Sequence, residues 1–189
     1  MRTITLVRHG TPDWDFRTPI PGAALAHWLE GERAAALATT QRPSAELSAQ
    51  VRHAGCVVVS PLRRSIESAR AVAPGVDPIV DECFTEPALP SAPASASRLR
   101  FRPGVWTWLA RSAWFCGWSR GVETFRAARA RASRAAGTLA ALATEHGDVV
   151  LIGHGLMNIL IAAELRRLGW RGPRFPRPRH WAFAVYRRA

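Results

Sequence analysis

The sequence contains no lysine, so its 26 basic residues other than histidine are all arginine. Chemistry that needs a Schiff-base lysine or the lysine of a P-loop is therefore excluded. The three cysteines, at positions 56, 83 and 116, are too few and too scattered for a disulfide framework or a zinc site. This pattern predicts a protein of a reducing, cytoplasmic compartment. The sequence also has no metal-binding cluster, neither an Asp-rich pair nor a His-x-x-x-His motif, so we expect no metal and no cofactor.

A long apolar segment near the N-terminus is also missing. The apolar run at residues 3–7 is short and ends in Arg8-His9, which is unlike the layout of a secretory signal peptide. The length of 189 residues and the 48% hydrophobic fraction suit a folded protein with a sizeable core. We therefore expect a single domain over residues 1–189.

Positive charge is concentrated in one half of the chain. Residues 98–189 hold 17 arginines against four acidic residues, whereas residues 1–97 hold nine against ten. A basic half can attract nucleic acid, an anionic membrane or a phosphorylated substrate. Because alanine is equally overused, a composition bias accounts for much of the excess. The charge alone leaves the partner open, and the oligomeric state as well.

The first predicted strand ends in two basic side chains. Its β-branched and apolar residues, closed by Gly10 and soon followed by Pro12, are typical of a buried strand that ends in a turn. Arg8 and His9 then lie at the carboxyl end of this strand, and ligands of open α/β sheets bind at that edge. The pattern fits a site, or a strand that merely ends in basic residues.

A second predicted strand, residues 56–59, runs directly into a helix. Ser60 fits the N-cap of that helix and Pro61 fits its first position. Arg63 and Arg64 then fall near the helix start, where the helix dipole favours anions over cations. This misfit predicts that an anion binds there, held by free N–H groups and an arginine, unless these side chains point to solvent.

A third predicted strand, residues 149–152, ends in Gly153-His154-Gly155 before another helix. A lone histidine is more often structural, but a second strand-end histidine flanked by glycines favours a functional site. The two glycines allow a ligand to approach the backbone closely.

The residue types at these strand ends suit phosphoryl transfer. Arginine forks match phosphate oxygens and stay charged. A neutral imidazole can act as a nucleophile. A carboxylic acid can protonate a departing oxygen, and the segment around Glu86 supplies one. Because the sequence offers no metal ligands, transfer through a phosphohistidine fits better than metal-assisted hydrolysis.

Three motifs together resemble the histidine phosphatase superfamily, the phosphoglycerate mutase-like group. They are Arg8-His9-Gly10, the Ser-Pro-Leu-Arg-Arg-Ser sequence at 60–65, and Gly153-His154-Gly155, and they span nearly the whole chain in the family's order. The resemblance implies a three-layer α/β/α sandwich with a mostly parallel sheet, to which this chain would add a Trp-rich helical insertion.

The resemblance also implies a role for each matching residue. His9 matches the nucleophile that becomes phosphorylated, and Arg8 and Arg64 match the two phosphate-binding arginines. His154 matches the second histidine, which holds the transferring phosphoryl group and stabilises its charge. Gly155 is expected to bind phosphate beside it.

The proton donor and the substrate class follow less directly from the resemblance. The family's donor lies in a Leu-x-Glu motif, which Phe84-Thr85-Glu86 matches with an aromatic residue in place of leucine; Glu82 is the alternative. The Gly-x-Trp-Glu-Gly continuation usual in the family is missing, which weighs against a phosphoglycerate mutase. We expect a metal-independent phosphatase that hydrolyses a phosphomonoester through His9. Its expected partner is a small phosphorylated substrate, rather than nucleic acid or a membrane. Mutase-type transfer and a non-catalytic phospholigand-binding protein are the alternatives.

A Trp-rich stretch at residues 101–118 is the least usual part of the chain. It lies within a predicted lid or insertion at about 87–120, which starts in a Pro/Ala/Ser tract. Arg111 interrupts the stretch, and it is too short to span a bilayer. It fits a lid over the site, an oligomer contact, a membrane-surface element or simple core packing. We favour a lid or packing over a membrane role.

Overall fold

A computed structural model describes residues 2–188 of the chain. In chain order the strands are β1 (Arg2–Arg8), β2 (Ile20–Pro21), β3 (Cys56–Val59), β4 (Ile79–Val80), β5 (Arg100–Phe101), β6 (Val149–Gly153) and β7 (Phe183–Arg188). The helices are α1 (Leu25–Ala34), α2 (Ala45–Arg52), α3 (Arg63–Val72), α4 (Pro103–Phe115), α5 (Phe125–His146) and α6 (Gly155–Arg167). Short 3-10 turns lie at Gly22–Ala24, Glu82–Phe84 and Ala94–Ala96.

The main sheet has five strands in the order β4-β3-β6-β1-β7. Every neighbouring pair is parallel except β1 and β7, which are antiparallel. Arg8 at the end of β1 lies opposite Gly153 at the end of β6, and Val59 at the end of β3 lies opposite Ile152. The carboxyl ends of these three strands therefore meet at one edge of the sheet, where their loops begin.

Helices cover both faces of this sheet. Ile4 and Leu6 of β1 belong to a buried cluster with residues of α5 and α6. Val7, which points the other way because side chains alternate along a strand, packs in a second cluster with residues of α2 and α3. These two clusters separate three layers and confirm the predicted α/β/α sandwich with a mostly parallel sheet.

The Trp-rich stretch forms α4, preceded by β5, which pairs with β2 in a separate two-stranded sheet. Trp106 and Trp114 are buried on the inner side of α4. The indole N–H of Trp106 donates to the carbonyl oxygen of Ile20 over 3.0 Å, and that of Trp114 donates to the carbonyl oxygen of Glu123 over 2.7 Å. These bonds hold α4 between the loop after β1 and the start of α5. Within residues 2–188, no helix is long and apolar enough to cross a bilayer.

The helix start predicted at Ser60 and Pro61 is wrong. Helix α3 begins at Arg63, with Leu62 at the N-cap and no side chain capping the helix. The Ser60 hydroxyl is engaged elsewhere, because it bonds the hydroxyl of Ser65 and the imidazole of His154.

Candidate active site

His9, at the end of β1, is only 3% exposed. Its Nδ1 atom lies 2.6 Å from the carbonyl oxygen of Gly10, and its Nε2 atom lies 3.1 Å from Nε of Arg64. Because the carbonyl only accepts and the guanidinium only donates, the neutral ring carries its proton on Nδ1 and a lone pair on Nε2. Burial, and then the nearby His154 and Arg64, lower the pKa of His9 well below its ordinary value. The ring is therefore neutral, with a nucleophilic nitrogen at Nε2.

The turn after His9 is fixed by close packing at Gly10. A Cβ atom there would lie 2.4 Å from the Trp181 ring and 2.5 Å from Leu37, so only glycine fits without displacing them. The Gly10 N–H donates to the hydroxyl of Ser68 over 2.9 Å, and this hydroxyl donates to the carbonyl oxygen of Arg64 over 2.6 Å. Ser68 thus ties the turn that carries His9 to the helix that carries Arg64.

Arg64, the second residue of α3, is buried beside His9. Besides its bond to the imidazole, its Nη1 atom donates to the carbonyl oxygen of Glu32 over 2.7 Å. Its Nη2 atom lies 3.4 Å from Oε1 of the same residue. Burial raises the pKa of Glu32, and the charge of Arg64 opposes this rise. Nothing in the sequence pattern marks Glu32, which lies on an ordinary amphipathic helix, so its place beside Arg64 emerges only from the structure.

His154, at the N-cap of α6, lies across from His9, with 4.9 Å between the two ring centroids. Its Nε2 atom lies 2.6 Å from the hydroxyl of Ser60. Its Nδ1 atom is buried and has no hydrogen-bond partner among the described residues. Burial, followed by the charges of Arg64 and Arg8, lowers the pKa of His154 well below the ordinary value. The role of Ser60 was missed because its position suggested a helix cap.

The start of α6 is locked to the end of β1. The side-chain amide of Asn158 donates to the carbonyl oxygen of Val7 over 2.9 Å. A Cβ atom on Gly153 would lie only 2.7 Å from Oδ1 of Asn158, so the glycine makes room for this amide. Consequently the two strand ends that carry His9 and His154 are held in a fixed relation.

Arg8 extends along the same edge of the sheet. Its Nη1 atom donates to the carbonyl oxygen of Pro178, and its Nε atom is buried without a partner among residues 2–188. A Cβ atom on Gly155 would lie 3.6 Å from Cζ of Arg8, so the guanidinium rests against the first residue of α6. The Arg8 guanidinium therefore lies beside the start of α6, next to His154 in the chain.

Glu86 lies at the N-terminus of α6. Its two carboxylate oxygens accept the backbone N–H groups of Leu156 and Met157 over 3.2 and 3.0 Å. Arg111 of α4 places Nη2 3.6 Å from Oε1 of Glu86. Glu82, the alternative acid, is exposed and opens the 3-10 turn before Glu86. The fold thus directs Glu86, and not Glu82, to the residues around His154.

A cavity of about 390 Å³ opens beside Arg64 and Glu86. Glu32, Arg33 and Arg111 also line it, so its wall carries both arginines and carboxylates. A larger cleft of about 890 Å³ lies near the C-terminal loop, but none of the predicted site residues lines it. The smaller cavity is the better candidate for a substrate site, because Arg64 and Glu86 line it.

His180 is a third histidine at this centre that the sequence motifs did not reveal. Its ring centroid lies 5.4 Å from that of His9. Burial, with the charges of Arg8 and Arg64, lowers the pKa of His180 to about 4. Its loop carries no strand-end or glycine signal, so no sequence pattern could have selected it.

The structure brings together every residue that the motifs selected: Arg8, His9, Arg64, Glu86, His154 and Gly155. Two strand ends, two helix starts and the loop after the Glu82–Phe84 turn supply them. The parallel register brings the two strand ends to one edge of the sheet. Among residues 2–188, no group of three or more His, Cys, Asp or Glu side chains is arranged to hold a metal ion.

A family model described as histidine phosphatase superfamily (branch 1) matches residues 4–180. The chain belongs to the histidine phosphatase superfamily. This membership confirms the resemblance of the three motifs and makes the chain an enzyme of the phosphatase or mutase type. A search of curated protein sequences found no significant match.

Solved structures with the same fold include other members of this phosphatase group. Mycobacterial glucosyl-3-phosphoglycerate phosphatase, solved with VO3, is 22% identical over 89% of this chain and 83% of its own, with a TM-score of 0.57. The product of an open reading frame of Mycobacterium tuberculosis is 18% identical over 97% and 90%, with a TM-score of 0.61. A phosphoserine phosphatase mutant from Entamoeba histolytica, solved with phosphoserine, is 16% identical over 88% and 81%, with a TM-score of 0.52. At these identities the likeness establishes the fold of this histidine phosphatase superfamily member.

Proposed function

We propose that this protein is a metal-independent phosphatase that hydrolyses a small phosphomonoester through a phosphohistidine on His9. The observation that carries the proposal is the tautomer of His9, whose bonds to Gly10 and Arg64 leave the lone pair on Nε2. A buried neutral imidazole aimed at a cluster of arginines is equipped to attack an anionic phosphoryl group.

In the first step, Nε2 of His9 attacks the phosphorus atom in line as the ester P–O bond breaks. Arg8 and Arg64 neutralise the equatorial oxygens, and the unpartnered Nδ1 of His154 provides a further contact to them. Glu86 gives its proton to the leaving alkoxide. The products are the free alcohol and a phosphohistidine.

In the second step, the Glu86 carboxylate takes a proton from water, and the water oxygen attacks the phosphorus atom. The N–P bond breaks, inorganic phosphate leaves, and His9 returns to its neutral form. Glu86 is then protonated for the next cycle. The Glu86 carboxylate accepts backbone N–H groups in the first turn of α6, directly beyond His154 in the chain. This contact supports the assignment of the proton donor to Glu86 over Glu82.

The substrate class is proposed on two grounds. Two of the similar solved structures are of phosphatases named for small phosphorylated molecules, glucosyl-3-phosphoglycerate and phosphoserine. The absence of the Gly-x-Trp-Glu-Gly sequence in residues 87–120 favours hydrolysis over mutase-type transfer. We further propose that 87–120 is an insertion within a single domain and acts as a lid, since Arg111 on α4 lines the cavity. A cytoplasmic location is supported by three cysteines that are all free.

The test uses purified protein and p-nitrophenyl phosphate. His9→Ala is expected to abolish turnover, whereas His53→Ala, at an exposed histidine after α2, retains it. Glu86→Gln is expected to slow turnover and to accumulate an acid-labile phosphoenzyme that intact-mass measurement detects. The same adduct must be missing from the double variant His9→Ala/Glu86→Gln. Full activity of His9→Ala contradicts the proposal, and transfer of the phosphoryl group to an added sugar acid instead of water supports a mutase.

A further inference from the structure

Seven large apolar side chains are exposed around α4, and we call them the apolar face. They are Leu99, Phe101, Val105, Trp108, Leu109, Phe115 and Trp118. Trp108 is the extreme case, with 67% of its surface exposed. Monomeric proteins seldom expose so many large apolar side chains together, because each loses free energy in contact with water.

The apolar face follows the geometry of the helix. Trp108 and Leu109 follow Val105 by three and four residues, so all three lie on one side of α4. The opposite side buries Trp106 and Trp114 against the rest of the protein. Helix α4 is therefore apolar on both sides, and only one side is covered by this chain.

The segment that carries the apolar face has charged side chains of one sign only. Residues 87–122 contain five arginines and no aspartate or glutamate. Arg98, Arg100 and Arg102 precede α4 and are exposed, and Arg120 is exposed beyond its end. The guanidinium of Arg120 lies 5.2 Å from the centre of the Trp118 ring. An apolar surface with tryptophans and a purely cationic border calls for a partner that is both apolar and anionic.

We propose that the apolar face docks on an anionic lipid bilayer surface. Trp, Phe and Leu side chains on one side of a helix enter the boundary between headgroups and acyl chains, and bordering arginines attract anionic headgroups. The helix lies in the plane of the interface and does not cross it. The sequence favours a lid or packing over a membrane role. The exposed outer side of α4, which appears only in the structure, adds a membrane contact to the proposed lid.

A second copy of this chain is a less suitable partner. A two-fold contact brings the same patch of both copies together. The bordering arginines of one copy would then meet the same set of arginines in the other copy, and residues 87–122 offer no carboxylate to compensate them. These arginines are Arg98, Arg100, Arg102 and Arg120. Like charges brought together at an interface oppose association.

The test is co-sedimentation of the full chain with vesicles. Vesicles of equal parts phosphatidylglycerol and phosphatidylcholine are expected to bind the protein. Pure phosphatidylcholine vesicles are expected to bind it at least about tenfold more weakly. Raising the salt from about 0.05 M to about 0.5 M is expected to release most of it, because charge attraction is screened.

Matched variants separate a specific face from general positive charge. Trp108→Ser/Phe115→Ser is expected to lower binding to the anionic vesicles about tenfold or more, whereas Phe175→Ser, which removes an aromatic residue that is 66% exposed elsewhere, leaves it unchanged. Arg98→Gln/Arg102→Gln is expected to weaken binding by about tenfold. Arg126→Gln/Arg129→Gln, an equal change of charge on exposed residues of α5, is expected to have little effect.

Three results overturn the proposal. One is the absence of binding to the anionic vesicles, and another is equal loss of binding in the face variants and their controls. The third is a concentration-dependent dimer in analytical ultracentrifugation that Trp108→Ser/Phe115→Ser abolishes, which assigns the face to a second copy. Phosphatase activity in solution is not part of the readout, so failure here leaves the proposed catalysis untouched.

Discussion

Nε of Arg64 donates a hydrogen bond to Nε2 of His9 over 3.1 Å. The same guanidinium group has Glu32 at its other end, with 3.4 Å between Nη2 and Oε1. In this structure Arg64 therefore covers the lone pair that the proposed reaction uses. A phosphoryl group that enters the site must draw these N–H donors onto its own oxygens, which frees His9 to attack.

The geometry of the Arg64 fork predicts a large effect of Arg64→Lys. Lysine keeps the charge but cannot offer two parallel donors, so we expect kcat/KM for p-nitrophenyl phosphate to fall by about 10²–10³. Arg63→Lys is the matched control, since Arg63 is exposed and pairs with Glu67 over 2.6 Å. It is expected to keep nearly full activity. Equal kinetics of the two variants contradict the role of Arg64.

Removing the Glu32 charge is expected to strengthen phosphate binding. The Glu32 carboxylate competes with a phosphoryl group for Arg64 and repels the phosphoryl group. At about pH 8, Glu32→Gln should therefore lower both KM and the inhibition constant of inorganic phosphate by about tenfold. The value of kcat should change little. Glu30→Gln, an exposed carboxylate in the wall of the same cavity, serves as the control. Because burial raises the pKa of Glu32, the difference from wild type should shrink as the pH falls and Glu32 is protonated. A fall in kcat as large as in Glu86→Gln would instead make Glu32 the proton donor.

Ser60→Ala is expected to affect both stability and turnover. The variant removes the 2.6 Å partner of Nε2 in the buried His154 and leaves it only the hydroxyl of Ser65, at a long 3.4 Å. An unsatisfied buried polar group costs about 1–3 kcal/mol of unfolding free energy, and the imidazole also loses its fixed orientation. Urea unfolding and kcat measured together test this prediction. Ser95→Ala, at an exposed serine, should change neither quantity; if Ser60→Ala does the same, the contact has no energetic role.

The buried histidines predict that the fold loses stability in acid. His9, His154 and His180 have pKa values lowered from the ordinary 6.5, that of His180 to about 4. Below about pH 6.5, these histidines bind protons in the unfolded chain but stay neutral in the folded protein. The unfolding free energy therefore decreases as the pH falls below about 6.5. Glu32 acts in the opposite sense, because its raised pKa favours the folded protein at low pH. Urea unfolding in a pH series should show a flatter profile for His180→Asn, and an unchanged slope contradicts the burial of that ring.

The residues at strand ends could be predicted from the sequence because their position follows from a simple rule. Buried strands of a parallel sheet end at one edge, so Arg8, His9 and His154 had to meet once their strands were recognised. The motif order then identified the family. The misfit with the helix dipole pointed to both Arg63 and Arg64, and the resemblance to the family selected Arg64, although α3 starts later than predicted.

The supporting residues could not be predicted in the same way. Glu32 contacts Arg64 from α1, and Ser60 contacts His154 from a position 94 residues away. Such contacts depend on how layers pack and leave no local pattern in the sequence. The position of Ser60 even suggested a competing role as a helix cap, and the glycine at Gly10 is explained only by the ring of Trp181.

The place of β1 in the sheet, between β6 and β7, also sets the order in which the protein can be built. Its residue Ile4 pairs with Val149, 145 positions later. The backbone N–H of His9 donates to the carbonyl oxygen of Gly153 over 3.0 Å, and that of Arg8 donates to Ala182 over 3.0 Å. During synthesis, the proposed nucleophile His9 leaves the ribosome early. The strands that pair with β1, which are β6 and β7, are synthesised only near the end of the chain. Pairing over such a distance is slow to form, so the catalytic centre is among the last parts of the molecule to assemble.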